Sequence, residues 1–163
     1  MITGFLIPYY SWSLISSGQN HTFAIRSDGM LFAWGKNDSG QLGTNDTVHR
    51  SAPIQIGTSS WSVVSAGTDH SLGITPDGKL FVWGLNNFSQ LGDSTAINKS
   101  SPIQLGTSSW SQVSAGLSFS YGILSNGALF AWGNNNVGQL GDLTTSNRSS
   151  PNIIGGTGNN GYY

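Results

Sequence analysis

Cysteine and glutamate are both missing from this chain of 163 residues. Without cysteine there is neither a disulfide nor a thiolate metal site. Charge is scarce: six Lys plus Arg and seven acidic residues, all Asp, leave a formal net charge of -1. No basic cluster is visible, so the electrostatic footprint of a nucleic-acid binder is absent from the sequence. Few strong helix formers, together with 23 glycines, disfavour helix. No apolar run reaches about 18 residues, so no membrane insertion is expected. Residues 1–10 are apolar but lack basic residues and a long apolar centre, which makes a poor secretory signal.

What is present is repetition. Trp34, Trp83 and Trp132 stand 49 residues apart, as do Trp12, Trp61 and Trp110, and these are all six tryptophans. The period divides the chain into a repeat at 11–57, a second at 58–106 and a third at 107–155. Each copy reads as four short strands. The first opens at tryptophan and stops at Gly18, Gly67 or Gly116, with period-2 alternation. The second, His70–Thr75 in the middle copy, has one face of Leu72 and Ile74 and one small face of Ser71 and Gly73. Small residues admit a neighbouring backbone, so this face is expected near a crowded axis. Ser27-Asp28-Gly29, Pro76-Asp77-Gly78 and Ser125-Asn126-Gly127 predict hairpins, with a type I′ turn the expectation. The third strand is apolar on both faces, as in Leu80-Phe81-Val82-Trp83, so both sides should be covered by other sheets. A polar loop follows. Pro53, Pro102 and Pro151 then mark the entrance to a fourth, outer strand.

Four antiparallel strands in 49 residues predict a blade of a β-propeller. The fold class expected is therefore all-β: three four-stranded antiparallel sheets, an incomplete ring per chain. Phe5-Leu6-Ile7 lies one period before Ile54-Gln55-Ile56. Residues 1–10 are accordingly expected to form a cap with a strand equivalent to the outer one, and 156–163 a divergent tail. Altered terminal copies are what capping looks like, and this favours a natural chain end.

The pattern Ser65-Ala66-Gly67-x-x-His70-Ser71, then Asp77-Gly78-x-Leu80-Phe81-x-Trp83-Gly84-x-Asn86-x-x-x-Gln90-Leu91-Gly92, resembles the RCC1 (regulator of chromosome condensation) repeat family. The resemblance covers residue 11 to about 155 and carries the signature positions Gly18, Gly67, Gly116, Trp34, Trp83, Trp132, Gly35, Gly84, Gly133, Gln41, Gln90 and Gln139. It implies a β-propeller, commonly of seven blades. The third copy departs from the others, with Phe119 in place of His21 and His70, and Asn126 in place of Asp28 and Asp77. The connectors around Ser100-Ser101-Pro102-Ile103-Gln104-Leu105-Gly106 are also similar to near-identical repeats of phage structural and bacterial surface proteins.

Catalytic chemistry finds no foothold. Asp28 and Asp77 occupy hairpin turns, where Asp serves the backbone. Asp93 and Asp142 follow the Gln-Leu-Gly motif, where Asp caps a turn or, alternatively, holds a cation. His21 and His70 read as packed structural histidines, because Phe119 fills the same place. His49 is alone in a loop. No Gly-x-Ser-x-Gly elbow, P-loop or dinucleotide fingerprint is present. No catalytic residue, metal site or cofactor is expected. Asn20, Asn37, Asn45, Asn87, Asn98 and Asn147 begin Asn-x-Ser/Thr triplets, mostly by chance in so Asn- and Ser-rich a chain.

Trp34, Trp83 and Trp132 should be core, whereas Trp12, Trp61 and Trp110 should be partly exposed and available for stacking. With Asn45, Ser94 and Thr144 they are the candidate contacts for a protein or a glycan. The polar loops 36–51, 85–100 and 134–149 would be the display surface. The reading is a non-enzymatic structural or interaction module in a virion or cell-surface assembly, with a cytoplasmic place as the alternative. Its partner would be protein, through self-association or a larger complex. The alternatives are a glycan-binding, lectin-like adhesin and a guanine-nucleotide exchange factor. The resemblance implies that exchange needs specialised loops and an insertion, and the three copies align without any insertion.

Overall fold

The computed structural model describes residues 11–155, which form twelve strands and no helix. The first sheet holds β1 (Trp12–Ser17), β2 (His21–Arg26), β3 (Met30–Gly35) and β4 (Arg50–Ser60), in that order. The second holds β5 (Val63–Ala66), β6 (His70–Ile74), β7 (Leu80–Gly84) and β8 (Lys99–Gln104), and the third β9 (Trp110–Ala115), β10 (Phe119–Leu124), β11 (Leu129–Gly133) and β12 (Arg148–Ile154). All neighbours in each sheet are antiparallel. These are the three propeller blades that the 49-residue period predicts. The expected cap strand at Phe5-Leu6-Ile7 and the tail from 156 onward lie outside the described residues.

The inner strands β1, β5 and β9 touch one another from sheet to sheet. Gly67, just past β5, is the crowded point: a Cβ there would stand 2.6 Å from the Gly116 carbonyl oxygen. Gly18 makes the same approach to Gly67. The axis therefore lies beside these glycines and not, as expected, on the small face of the second strand. That small face serves another purpose. A Cβ on Gly73 would lie 2.7 Å from the Trp61 indole, and one on Gly122 would lie 2.5 Å from that of Trp110. The missing side chains make room for tryptophan rings.

This placement also overturns the expected exposure of the first-strand tryptophans. Trp61 and Trp110 are each 5% exposed, whereas Trp12 is 45% exposed. Each indole lies on the side of its sheet that meets the preceding one. Trp61 and Trp110 have a sheet there, and Trp12 has none among the described residues. Trp61 meets Phe81 and Trp83 edge-on at ring separations of 5.4 and 5.7 Å, and Trp110 meets Phe130 and Trp132 in the same way.

Two further expectations change. The hairpins are not type I′, because positive φ falls on Gly29, Gly78 and Gly127 but not on Asp28, Asp77 or Asn126. Gly29 N–H donates to Arg26 C=O at 2.8 Å, so the turn closes around Ser27 and Asp28, and the left-handed glycine follows. The three prolines sit inside β4, β8 and β12 rather than at their entrances. The ladder between β3 and β4 shifts register between Ala33 and Gly35, around Pro53, so the missing N–H falls at an irregularity of an outer strand.

The apolar core lies between sheets rather than within one. Phe23, Ile25, Leu31, Ala33 and Leu42 of the first repeat pack against Trp61, Val64 and Trp83 of the second. Leu72, Ile74, Leu80, Val82 and Leu91 pack in the same manner against Trp110 and Trp132. Trp83 and Trp132 are fully buried, as the two-sided apolar pattern of the third strand requires, whereas Trp34, also expected in the core, is only partly buried because no described sheet packs on its side. Trp83→Ala should therefore lower the free energy of unfolding by about 3–5 kcal/mol, read from urea denaturation. A loss under about 1 kcal/mol would remove Trp83 from the core.

Candidate functional site

Two kinds of surface could meet a partner, the long loops and the faces of the outermost sheets. Both are organised by the joint between neighbouring sheets, which is polar at its centre. Ser71 Oγ donates to the Gln41 carbonyl at 2.9 Å and lies 3.1 Å from His21 Nε2. The serine has one proton, and it goes to the carbonyl, so His21 Nε2 carries the proton that the serine accepts. Ser120 repeats this with the Gln90 carbonyl at 2.8 Å and His70 Nε2 at 3.0 Å. The inner strands add Ala66 N–H to Ser16 Oγ at 3.0 Å and Ala115 N–H to Ser65 Oγ at 2.9 Å. Asn45 and Ser94 N–H groups donate across the joint to Ser100 and Ser149 C=O, both at 2.8 Å. Trp83 Nε1 adds a second donor to the Gln41 carbonyl at 2.9 Å.

The long loop of each repeat is built around one buried asparagine. Asn37, Asn86 and Asn135 are fully buried. Asn86 Oδ1 accepts Leu91 N–H at 3.0 Å, while its Nδ2 faces Asp93 Oδ1 at 2.9 Å and the Thr95 and Ile97 carbonyls at 3.1 and 3.3 Å. A single amide thus ties several backbone and side-chain groups into one frame. Asn37 and Asn135 do the same in their loops. Asp93 and Asp142 belong to this frame. Asp142 Oδ1 accepts from Asn135 and Thr144, and Oδ2 accepts from Arg148 Nε at 2.5 Å. Burial pushes the Asp142 carboxyl up, but bonds from Thr144, Arg148 and Asn135 outweigh it and hold its pKa at about 2. Asp93 is lowered for the same reasons, with Lys99 in place of the arginine. The carboxylates act as turn anchors. Among the described residues no three His, Cys, Asp or Glu side chains gather as a metal site would need.

These joints and frames recur with the spacing of one known repeat. The Regulator of chromosome condensation (RCC1) repeat matches residues 28–74, 77–123 and 126–161, and a second description of the same repeat matches 12–41, 61–90 and 110–139. The chain belongs to the RCC1 repeat family. Among solved structures it is similar to yeast RCC1 (Prp20) bound to Kap60, with a TM-score of 0.82 and 25% identity over 90% of this chain and 37% of that one. It is also similar to human WBSCR16, with a TM-score of 0.78, 26% identity and 90% of this chain against 40% of that one. The Ultraviolet-B receptor UVR8 of Arabidopsis thaliana is 43% identical over 44 residues, which are 27% of this chain and 10% of the receptor. This chain therefore spans well under half the length of these relatives.

Of the candidate contacts, Trp61 and Trp110 are removed by burial, and Trp12 remains at 45% exposure. Asn45 and Ser94 are exposed, have positive φ and sit at the joints. The equivalent residue of the third RCC1 repeat is Leu143, with φ 61, and not Thr144. Thr144 instead braces its own loop through Asp142 and Asn135. Gln41, Gln90 and Gln139 each accept a loop N–H on Oε1, so the signature glutamines are structural. Sequence reasoning missed Asn37, Asn86 and Asn135 as organisers. It also missed Ser16, Ser65, Ser71 and Ser120 as the polar centre of the joints. Their signal was a polar residue recurring at the same place in successive copies.

Burial lowers the pKa of His21 and of His70 from 6.5 to about 4, and the neighbouring Asp69 and Lys36 matter less at His21. Each ring's Nδ1 is buried without an acceptor, which explains why the second proton is disfavoured. In the unfolded chain these rings take up protons below about 6.5, while the folded chain resists until about 4. Stability should therefore fall as pH drops from about 6.5 to about 4 and lose this dependence below that window. The double variant H21F/H70F, which copies the Phe119 of the third repeat, should show a flatter profile. An equally steep profile in the variant would show that other groups cause it.

Proposed function

We propose that this RCC1-repeat chain is a non-enzymatic protein-interaction module whose long loops present the contact surface. The observation that carries this reading is apolar exposure on a rigid frame. Val48, Phe88, Ile97, Val137 and Leu143 all stand on the three loops, at 40–88% exposure. Beneath them lie Asn37, Asn86 and Asn135, which fix the loop backbones. Large exposed apolar side chains on ordered loops suit a partner's apolar surface, and their cost in water is removed on contact. The family supports the same reading. Yeast RCC1 (Prp20) is bound to Kap60 in one structure, and a second is paired with its binding properties to Gsp1p and histones. Those partners are theirs. The polar, nearly neutral loops of this chain, whose few charges balance, favour an apolar or neutral polar protein surface over a polyanion.

The glycan reading loses most of its support, because two of the three tryptophans it needs are buried. Placement in a virion or cell-surface assembly rests on the likeness of the connectors to phage and bacterial surface repeats. An antibody to the chain that labels intact particles or unpermeabilised cells would support that placement, and labelling only after lysis would oppose it.

The triple variant with Val48→Ser, Ile97→Ser and Val137→Ser should keep its stability to within about 0.5 kcal/mol per site, because exposed side chains contribute little. It should lose the proteins that co-purify with the unaltered chain from its native source. Retention of the same proteins by the folded variant would overturn the loop assignment.

A further inference from the structure

The long loops of the three repeats are closed by the same hydrogen bond, with one change of acceptor. Asn86 N–H donates to Asn98 Oδ1 at 2.9 Å, and Asn135 N–H donates to Asn147 Oδ1 at 2.8 Å. In the first repeat His49 takes the place of Asn98 and Asn147, and Asn37 N–H donates to its Nδ1 at 3.0 Å. A carboxamide oxygen accepts at every ordinary pH, whereas an imidazole nitrogen accepts only while it carries no proton. The bond also sets the tautomer. Nδ1 is the bare nitrogen, so Nε2 carries the ring proton, 3.3 Å from Asp38 Oδ1.

We infer that His49 makes the 36–51 loop proton-sensitive, so that acidification releases this loop from its frame while the other two stay held. A second proton on His49 sits on Nδ1 and sets donor against donor at Asn37 N–H. Asn37 is fully buried, so water cannot replace the lost acceptor unless the loop moves. The ring itself is open, its side chain 61% exposed, so the proton arrives without unfolding. The protonated ring has a partner in Asp38. In the other repeats Asn87 and Asn136 stand at that place, and their side-chain oxygens accept from Gln90 and Gln139 Nε2 at 3.3 and 3.2 Å. Gln41 Nε2 turns instead to Asp69 Oδ1 at 2.8 Å, which leaves Asp38 to face the histidine. Histidine and aspartate thus enter the first repeat together, where the others have two asparagines.

The charges about the ring come from the loop, from β4 and from the second sheet. Lys36 Nζ lies 3.8 Å from Asp38 Oδ2 and 3.0 Å from Oδ1 of Asp69, just before β6. Arg50, at the start of β4, has Nη1 3.4 Å from the His49 carbonyl and Nη2 2.5 Å from Asp46 Oδ2. Both cations are already held by carboxylates, and Asp38 is the charge that meets the ring, so it can hold the protonated ring once that ring has left Asn37. The segment that moves carries Val48, 60% exposed and next in the chain. What this does to a partner rests on the loops being the contact surface, as proposed above; the release of the loop does not.

Amide hydrogen exchange of the whole chain, followed by NMR from about pH 8 to about pH 5.5, tests this. His21 and His70 resist protonation until about 4, so they do not titrate in this range. The Asn37 amide is compared at each pH with those of Asn86 and Asn135, which cancels the pH dependence of exchange itself. Its protection should fall about tenfold or more relative to theirs, in step with the His49 ring signals. His49→Asn, which copies Asn98 and Asn147, should keep Asn37 protected throughout. Constant relative protection of Asn37 would overturn the proposal, whether or not the His49 ring titrates. The same loss in the His49→Asn variant would also overturn it. Both measurements concern the chain alone, so their failure leaves the loop surface standing, and the triple loop variant tests that surface separately.

Discussion

The structure depends on one contact, in which a sheet's indole ring and serine hydroxyl reach into the loop carbonyl of the sheet before it. The tryptophan supplies most of the area removed from water, and large aromatic rings dominate such contacts. The serine, the glutamine carbonyl and the histidine supply direction. Apolar burial alone would let two flat sheets slide or rotate against each other. A hydrogen-bonded chain through His21, Ser71 and the Gln41 carbonyl allows one register. No sheet has a core of its own, so the folded unit is the neighbour pair. The middle sheet shows the consequence: every residue of β6 is buried, whereas the third sheet's equivalent strand is only partly so.

The loops are governed by the same economy of polar groups. A long segment such as 36–51 has little ladder of its own, and its carbonyls must be satisfied somewhere. One asparagine amide meets several of them at once. Because that amide is buried and committed, the loop backbone is held while its outward side chains stay free to vary. The copies show this division. Asn37, Asn86 and Asn135 are identical, while two residues further on the copies read Ser39, Phe88 and Val137, the last two exposed.

Much of this was legible in the sequence. The period, the four strands per copy and the burial of Trp83 and Trp132 follow from spacing and from a strand apolar on both sides. Three things were not legible. Period-2 alternation tells which residues share a face but not what covers that face, so the small face of β6 was assigned to a backbone instead of to Trp61. Asp-Gly suits more than one hairpin, and only the φ of the residue before the glycine distinguishes them. The exposure of the first-strand tryptophans depends on whether a sheet precedes them, which is why identical positions give Trp12 and Trp61 opposite environments. Of the proposed contact surface, the loops could be located, but not the apolar side chains that stand out from them, because sequence polarity averages over positions that the asparagine frame separates.

The division of the joint into complementary halves bears on how such a chain can lengthen. Every copy carries one half on each side, so a duplicated copy inserted in the middle finds a fitting neighbour both upstream and downstream without any adaptive change. Copy number can then drift within the array, while the facing residues change as well: the third unit has Phe119 and Tyr121 where the first has His21 and Phe23.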